Sequence, residues 1–287
     1  LALLALSTVV SVCIFTVPAV SSMGRERTSG MYRTAGMYRT AGMDRAGGQP
    51  AAFPLDPGTV ITQGEMAADM IVAGIRERKK EKSEQPKTIY LTFDDGPSEE
   101  NTNAVLDVLK ARNIKATFFL VGEQVADHQD TVRRMADEGH QIGLHTWHHV
   151  SLQGMTREEI AAQLGKTQQT IQAVVGPEEL MLRPPYGFVD ETLKQWAKTP
   201  IVCWSVDTED WKDQNVERIV QTVTQQAEDG DIILMHDIFE TSVTAALACV
   251  DRLMAQGYYF VTVEELFALR GEVPQEGGVY LSLPPKT

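Results

Sequence analysis

The sequence predicts an α/β fold in which a parallel sheet of seven strands closes as an incomplete barrel. Two observations carry this prediction. From about residue 87 onward, apolar strand-like stretches alternate with longer helix-like stretches, which is the pattern of successive β-α units. Five of the strand-like stretches also end in polar or ionisable residues, as expected where the carboxyl ends of parallel strands carry a functional site. A doubly wound open sheet is the alternative architecture.

Residues 1–22 form an apolar segment at the start of the sequence. Residues 1–20 carry no charge and are just long enough to span a bilayer. The stretch 19–21, Ala-Val-Ser, resembles a small-x-small cleavage site, so a signal peptide and an uncleaved membrane anchor both stay open. Either one implies export, and we expect an extracytoplasmic protein that is membrane-anchored or secreted.

Residues 23–86 are predicted to be a flexible linker with a helical segment. Over 31–48, Met-Tyr-Arg-Thr-Ala-Gly occurs twice and is followed by Met-Asp-Arg-Ala-Gly-Gly. This repeat is rich in glycine and poor in aliphatic residues, as is typical of a linker. Residues 63–82 show a partial apolar stripe and a basic end, which predicts a helix whose last turn is solvated.

A folded domain is expected over 87–271, followed by an irregular tail over 272–287 that is rich in proline and glycine. Glycines mark the ends of two predicted helices, Gly139 after the second and Gly257 after the last. The strand candidates are 88–93, 116–121, 141–145, 181–183, 201–206, 232–236 and 258–262. The helix candidates are 102–112, 129–138, 156–174, 190–198, 216–228 and 244–256.

Composition excludes some classes of function. The formal net charge of −13 argues against nucleic acid as a partner, and the 43% hydrophobic content suits a soluble core. The three cysteines, Cys13, Cys203 and Cys249, have no metal-ligand spacing and indicate no disulfide framework. We expect a monomer.

The first chemical motif is the stretch 92–97, Thr-Phe-Asp-Asp-Gly-Pro, at the end of the first strand. Side chains alternate along a strand, so Asp94 and Asp95 would normally point apart. The break at Gly96-Pro97 can turn the chain so that both carboxylates reach one site. Alone, the pair could equally be an Asx turn that caps the next helix.

The second motif is a histidine pair after the third strand. His145 and His149 are four residues apart, so one helical turn would put both imidazoles on one face. That spacing suits two ligands of a Zn²⁺-like ion, and Asp95 is the natural third ligand. His148 would point elsewhere on such a turn, behind the ligands or to the surface.

Three further motifs add polar groups at later strand ends. The stretch 183–187, Arg-Pro-Pro-Tyr-Gly, supplies a guanidinium that can hold a carboxylate by a bidentate pair and a Tyr186 N–H that can stabilise an oxyanion. The stretch 207–211 reads Asp-Thr-Glu-Asp-Trp, and 234–237 reads Leu-Met-His-Asp. His236 is a good candidate for a general acid because the pKa of histidine lies near neutrality.

With all five motifs in this order, the sequence resembles the NodB-like polysaccharide deacetylases, carbohydrate esterase family 4. The resemblance covers about residues 87–271 and leaves the first 85 or so residues aside. Leu144 stands where the family often has Asn, and Val150 stands where it often has Pro. Neither departure touches a reacting group.

The resemblance implies a distorted (β/α)7 barrel and one divalent metal, usually Zn²⁺. The metal ligands would be Asp95, His145 and His149. Asp94 would be the general base, and Arg183 would orient it. His236 would be the general acid. Asp207 or Asp210 would support Arg183 or His236, and which does so stays open. Tyr186 would offer its backbone N–H to the oxyanion, and the substrate pocket would be lined by Pro184, Trp211 and Leu234.

The implied reaction is metal-dependent hydrolysis of the N-acetyl group of an amino sugar, which releases acetate. The metal would polarise the amide carbonyl, Asp94 would take a proton from the attacking water, and His236 would protonate the departing amine. Because export and a linker accompany the domain, we expect a cell-wall polysaccharide as the substrate, with GlcNAc of peptidoglycan first. The alternatives are a chitooligosaccharide deacetylase, a non-catalytic wall-binding module of the same fold, and a hydrolase of another small amide or imide.

Overall fold

The computed structural model describes residues 86–285. The apolar segment predicted for 1–22 and the linker predicted for 23–86, with its repeat and its helix, lie outside the described residues except for Pro86. Within residues 86–285, no helix combines the length and the apolar character needed to cross a membrane.

A parallel sheet forms the centre of the described domain and confirms the predicted α/β class. Its strands pair in the order β3-β2-β1-β6-β5, and β7 pairs with the start of β1. Every one of these pairs is parallel. The strands are β1 (Lys87–Asp94), β2 (Thr117–Leu120), β3 (Gln141–Leu144), β4 (Ile201–Val202), β5 (Val206–Asp207), β6 (Ile232–His236), β7 (Tyr258–Phe260) and β8 (Val279–Tyr280).

Two predicted strands differ most from the prediction. The fourth candidate, 181–183, is reduced to single bridges from Leu182 to Leu144 and Ile201, because the prolines that follow cannot donate to a ladder. The fifth candidate, 201–206, is split into β4 and β5. Its middle carbonyl groups, those of Val202 and Cys203, accept hydrogen bonds from the side chain of Arg183.

The tail predicted to be irregular contributes a strand. β8 pairs in parallel with β4, and Ser282 forms an antiparallel bridge with Asp231, just before β6. Continuous pairing of the larger sheet runs from β3 to β5, so closure into a seven-stranded barrel stays a prediction.

Helices connect the strands, and several begin at side-chain caps that the sequence encodes. Thr156 and Thr262 form capping boxes with Glu159 and Glu265, and Ser98 accepts a hydrogen bond from the N–H of Asn101. Three short helices, α2, α6 and α9, were not among the predicted ones. The helices are α1 (Glu99–Ala111), α2 (Gly122–Asp127), α3 (Gln129–Asp137), α4 (Arg157–Val175), α5 (Glu191–Trp196), α6 (Asp210–Asp213), α7 (Val216–Gln226), α8 (Glu240–Ala255) and α9 (Val263–Arg270).

The sheet is buried on both faces, which explains its near-continuous apolar strands. One face of β1 and β2 contributes Phe93 and Phe118 to the larger apolar cluster, and the opposite face contributes Tyr90 and Phe119 to a smaller one. Asp94 shares the second face with Tyr90, because side chains alternate along a strand. The candidate site therefore lies at the carboxyl end of the strands, on the face of the sheet that carries Tyr90 and Asp94.

Candidate active site

The register of the two central strands places the predicted base opposite the predicted acid. β1 and β6 run parallel, with Asp94 directly across from His236 and Thr92 directly across from Leu234. Residues paired in this way point to the same face of a sheet. A sequence separation of more than 140 residues is thus reduced to the spacing of neighbouring strands.

The turn after β1 brings both carboxylates of the Asp-Asp pair to this face. Asp95 has a φ of 73°, in the left-handed region, and this reverses the outward direction that strand alternation would give it. A Cβ at Gly96 would collide with the buried carboxyl group of Asp237, so the turn requires glycine. The Asx-turn alternative is wrong, because Ser98 caps the next helix.

Asp95, His145 and His149 form a compact triad. The Nε2 atoms of His145 and His149 lie 3.3 and 3.1 Å from Oδ1 of Asp95. The ligand atoms of all three residues lie within 4.8 Å of one another. The two histidines are not on a helical turn as predicted. They sit in an irregular loop in which Thr146 and His149 have φ of 63° and 53°.

The chemistry of this donor set fits a metal ion. Nδ1 of His145 lies 2.7 Å from the carbonyl oxygen of Arg183, so this nitrogen carries a proton, and Nε2 is the ring nitrogen that can present a lone pair. That lone pair faces Oδ1 of Asp95, a buried oxygen without a hydrogen-bond partner. Two facing acceptors repel unless a cation lies between them, and two imidazoles with one carboxylate suit Zn²⁺ or a related ion.

The triad also favours an ionised Asp95. Burial opposes ionisation, but the two neighbouring imidazoles lower the pKa of the Asp95 carboxyl below its usual range. The nearby Asp95 carboxylate in turn raises the pKa of His149. The group is therefore arranged around negative charge at Asp95.

Arg183 is fully buried and holds Asp94 in place. Its Nη1 donates to Oδ1 of Asp94 and to Oγ1 of Thr92, each at 2.7 Å. Nε and Nη2 donate to the carbonyl oxygens of Val202 and Cys203 at 3.0 and 2.8 Å. The predicted bidentate pair is therefore wrong in form. One arm of the guanidinium holds the carboxylate, while the other donors fix the guanidinium itself.

Asp210 supports His236. Its Oδ1 lies 2.7 Å from Nδ1 of His236, and its Oδ2 accepts the backbone N–H of His236 at 2.8 Å and the hydroxyl of Ser242 at 2.5 Å. Burial opposes protonation of the imidazole, but Asp210 and, more weakly, Asp94 and Asp95 raise the pKa of His236 to about 9. The pKa of Asp210 is lowered despite its burial, through its bonds to His236 and Ser242.

Asp207 does not take part in either pair. Its side chain is exposed and accepts a hydrogen bond from the N–H of Glu209 at 2.9 Å. Its place among the predicted catalytic residues is wrong on this geometry. The structure thus resolves the choice that the sequence left open between Asp207 and Asp210.

Comparison with known proteins gives the family of this chain. The family model described as polysaccharide deacetylase matches residues 81–200. A peptidoglycan-N-acetylglucosamine deacetylase of Bacillus cereus is 39% identical over 186 residues, which cover 62% of this chain and 68% of the relative. The chain belongs to the polysaccharide deacetylase family.

Other members of the polysaccharide deacetylase family match over a similar region. The peptidoglycan-N-acetylglucosamine deacetylase PgdA of Listeria monocytogenes is 43% identical over 69% of this chain, which spans 42% of the Listeria protein. A solved family 4 acetyl xylan esterase of Clostridium thermocellum, in complex with a cobalt ion, is 34% identical. Its TM-score is 0.66, and the match covers 69% of this chain and 100% of that one.

The remaining residues predicted for the site differ in their exposure. Leu234 and Pro184 are buried, and Leu234 lies on the same face of β6 as His236. The ring of Tyr186 is 59% exposed and packs edge-on against the imidazole of His149, with centroids 5.0 Å apart. Trp211 follows Asp210 and is also exposed.

Sequence reasoning missed three residues that lie in or beside this site. Thr92 accepts from Arg183 and donates to the carbonyl oxygen of Ile233 at 2.6 Å. Ser242 lies early in α8, and nothing in its neighbourhood in the sequence marks its contact with Asp210. Phe188 is 49% exposed, and its ring lies 6.1 Å from that of Tyr186. Only Thr92 carried a signal, because it belongs to the first motif.

Proposed function

We propose that this protein is a metal-dependent deacetylase that hydrolyses the N-acetyl group of amino sugars in a cell-wall polysaccharide, with GlcNAc of peptidoglycan as the substrate. One observation carries the proposal: the Asp95–His145–His149 triad adjoins a carboxylate held by Arg183, and that carboxylate lies directly across the sheet from a histidine held by Asp210. Together these groups could supply the Lewis acid, the general base and the general acid of a metal-dependent amide hydrolysis. The two bacterial relatives named as peptidoglycan-N-acetylglucosamine deacetylases support the choice of sugar and polymer.

Asp95, His145 and His149 would hold the metal, which we propose to be Zn²⁺. When bound, the ion would supply Lewis-acid polarisation of the acetamide carbonyl. The Tyr186 N–H would donate to the oxygen of that carbonyl as negative charge develops on it.

Two side chains, those of Asp94 and His236, would transfer protons in the reaction. Asp94, held in place by Arg183, accepts a proton from the water molecule that attacks the carbonyl carbon. His236 is protonated at neutral pH, and its Nδ1 faces Asp210, so its Nε2–H is the donor available to the substrate. It gives this proton to the amide nitrogen as the C–N bond breaks. The products are acetate and a free amino sugar.

Exposed aromatic rings beside the site support a polysaccharide substrate. Tyr186, Phe188 and Trp211 are each about half exposed or more, and Tyr186 touches the metal ligand His149. Flat, rigid rings bind the apolar faces of sugars at little entropic cost.

We further propose that the sheet forms the distorted (β/α)7 barrel. We also propose that the protein acts as a monomer outside the cytoplasm, held or exported through the apolar residues 1–22.

The test measures acetate release and bound metal together. The chain, stripped of metal and reloaded with Zn²⁺, should release acetate from peptidoglycan fragments faster than from chitooligosaccharides. The variant His149→Ala should lose bound zinc and at least about 100-fold in rate, whereas His148→Ala, its exposed neighbour, should lose neither. Equal zinc content in His149→Ala and the unmodified chain would refute the ligand assignment. Binding to wall fragments without acetate release would instead establish a wall-binding module.

A further inference from the structure

The loop that carries the two histidine ligands is held in an unusual conformation. Residues 145–149 form neither helix nor strand, and Thr146 and His149 both adopt left-handed φ. Residues with side chains seldom adopt this conformation unless the surroundings impose it. The contacts that impose it therefore also set the spacing between His145 and His149.

The carbonyl side of the loop is bound by the start of α2. The N–H of Gly122 donates to the carbonyl oxygen of Thr146 at 3.0 Å, and the N–H of Glu123 donates to that of Trp147 at 3.2 Å. The first N–H groups of a helix have no partner within the helix, so they are free to make these bonds. The start of α2 offers only donors to the loop, so it cannot satisfy the N–H groups of the loop.

The N–H of His145 donates to the carbonyl oxygen of Leu120 at 3.0 Å, and the N–H groups in the middle of the loop are bound by one side chain. Oε1 of Gln163, on α4, accepts the backbone N–H groups of Trp147 and His148 at 2.9 and 3.2 Å. Nε2 of Gln163 also lies 3.3 Å from Nδ1 of His148. Trp147 and His148 stand between the two ligands, so a single oxygen fixes the middle of the ligand loop.

Gln163 is itself well placed to act as an anchor. It lies one turn after Ile160 and next to Leu164, which are both buried, and α4 begins at the capping box of Thr156. The side chain is half-buried, and its hydrogen bond to the N–H of Trp147 is partly buried, whereas the bond to the N–H of His148 is exposed. The position of Gln163 Oε1 is therefore set by packing of α4 against the core.

We propose that Gln163 is a positioning residue for the metal site, which sets the geometry of His145 and His149 through the two amides between them. The loop requires an acceptor oxygen at the end of the side chain at position 163 of α4. Glutamate would supply one, and methionine, which has similar length, would not. This inference rests on the proposed metal-dependent function.

The experiment compares Zn²⁺ affinity among matched variants of the full chain by competition with a chromophoric chelator. Gln163→Met should weaken zinc binding about 10–100-fold, the range for residues that orient metal ligands, and Gln163→Glu should restore it. Gln168→Met, an exposed glutamine on the same helix, is the control and should bind like the unmodified chain. In metal-free protein, hydrogen exchange at the amides of Trp147 and His148 should be faster in Gln163→Met than in the control.

The outcomes separate this inference from the proposed function. If the unmodified chain binds zinc and Gln163→Met binds it equally well, the positioning role is refuted and the proposed function stands. A loss of unfolding free energy in Gln163→Met with unchanged zinc affinity would likewise show a purely structural residue. If the unmodified chain binds no zinc, the proposed function and this inference both fall.

Discussion

Replacing Asp210 with asparagine should move the alkaline limb of the pH profile of kcat/KM towards neutrality. Asp210 is completely buried and contacts both the imidazole and the backbone N–H of His236. Asparagine keeps the shape of the side chain and removes its negative charge. The protonated form of His236 then loses its main stabilising partner, while the buried surroundings that oppose protonation remain.

The size of the effect follows from the pKa of His236, which is raised to about 9 from its ordinary value of 6.5. At about 1.4 kcal/mol per pKa unit, this is on the order of 3 kcal/mol in favour of the imidazolium. If most of that is lost, the protonated fraction at pH 8 falls from about 0.9 to about 0.03, a loss of about 30-fold in kcat/KM. Below about pH 6 both proteins hold the proton, so the ratio of their rates should approach a constant.

The assay is acetate release from a soluble GlcNAc oligosaccharide, measured as kcat/KM from about pH 5.5 to 10 with zinc content checked in each protein. Asp207→Asn is the matched control, because Asp207 is an exposed aspartate three residues away that does not contact His236. An alkaline limb in Asp210→Asn that coincides with that of the unmodified chain would refute the reasoning. So would an equal shift in Asp207→Asn.

Two further predictions concern the rim and the turn. Phe188→Ala should raise KM for long oligosaccharides with little change in kcat, because it removes an exposed ring beside Tyr186. Leu281→Ala, which changes a similarly exposed residue of the tail, is the control. Equal KM values in the two variants would count against sugar binding by the Phe188 ring. Gly96→Ala should lower the free energy of unfolding in urea by about 1–3 kcal/mol, because its methyl group would enter the space of the Asp237 carboxyl. Gly165→Ala, at an open helical position, is the control and should raise the free energy of unfolding by about 0.5–1 kcal/mol. A Gly96→Ala variant as stable as the unmodified chain would show that the turn can relax.

Much of the site could be predicted from the sequence because its chemistry is concentrated in short motifs at strand ends. The apolar run of β1 indicates a buried strand, and a parallel sheet brings the carboxyl ends of its strands to one edge. Asp94, Asp95, His145, His149 and His236 were all assigned to one site in this way. The α/β class follows from the same alternation of strands and helices.

Other features depend on contacts between residues that are far apart in the chain. Asp207 and Asp210 look equivalent in the sequence, and only the short helix α6 places Asp210 against His236, 26 residues later. Ser242 reaches the same carboxylate from α8, and no local pattern could indicate that bond.

The histidine loop shows the same limit most clearly. A separation of four residues suggests a helical turn, which is the local solution for bringing two side chains to one face. The protein uses an irregular loop instead, because α2 supplies donors for its carbonyl groups and Gln163 supplies the acceptor for its N–H groups. The residue types that gather at the sheet edge can be read from the order of the motifs. Their partners and geometry depend on hydrogen bonds between elements that lie far apart in the chain, and a local pattern does not encode those bonds.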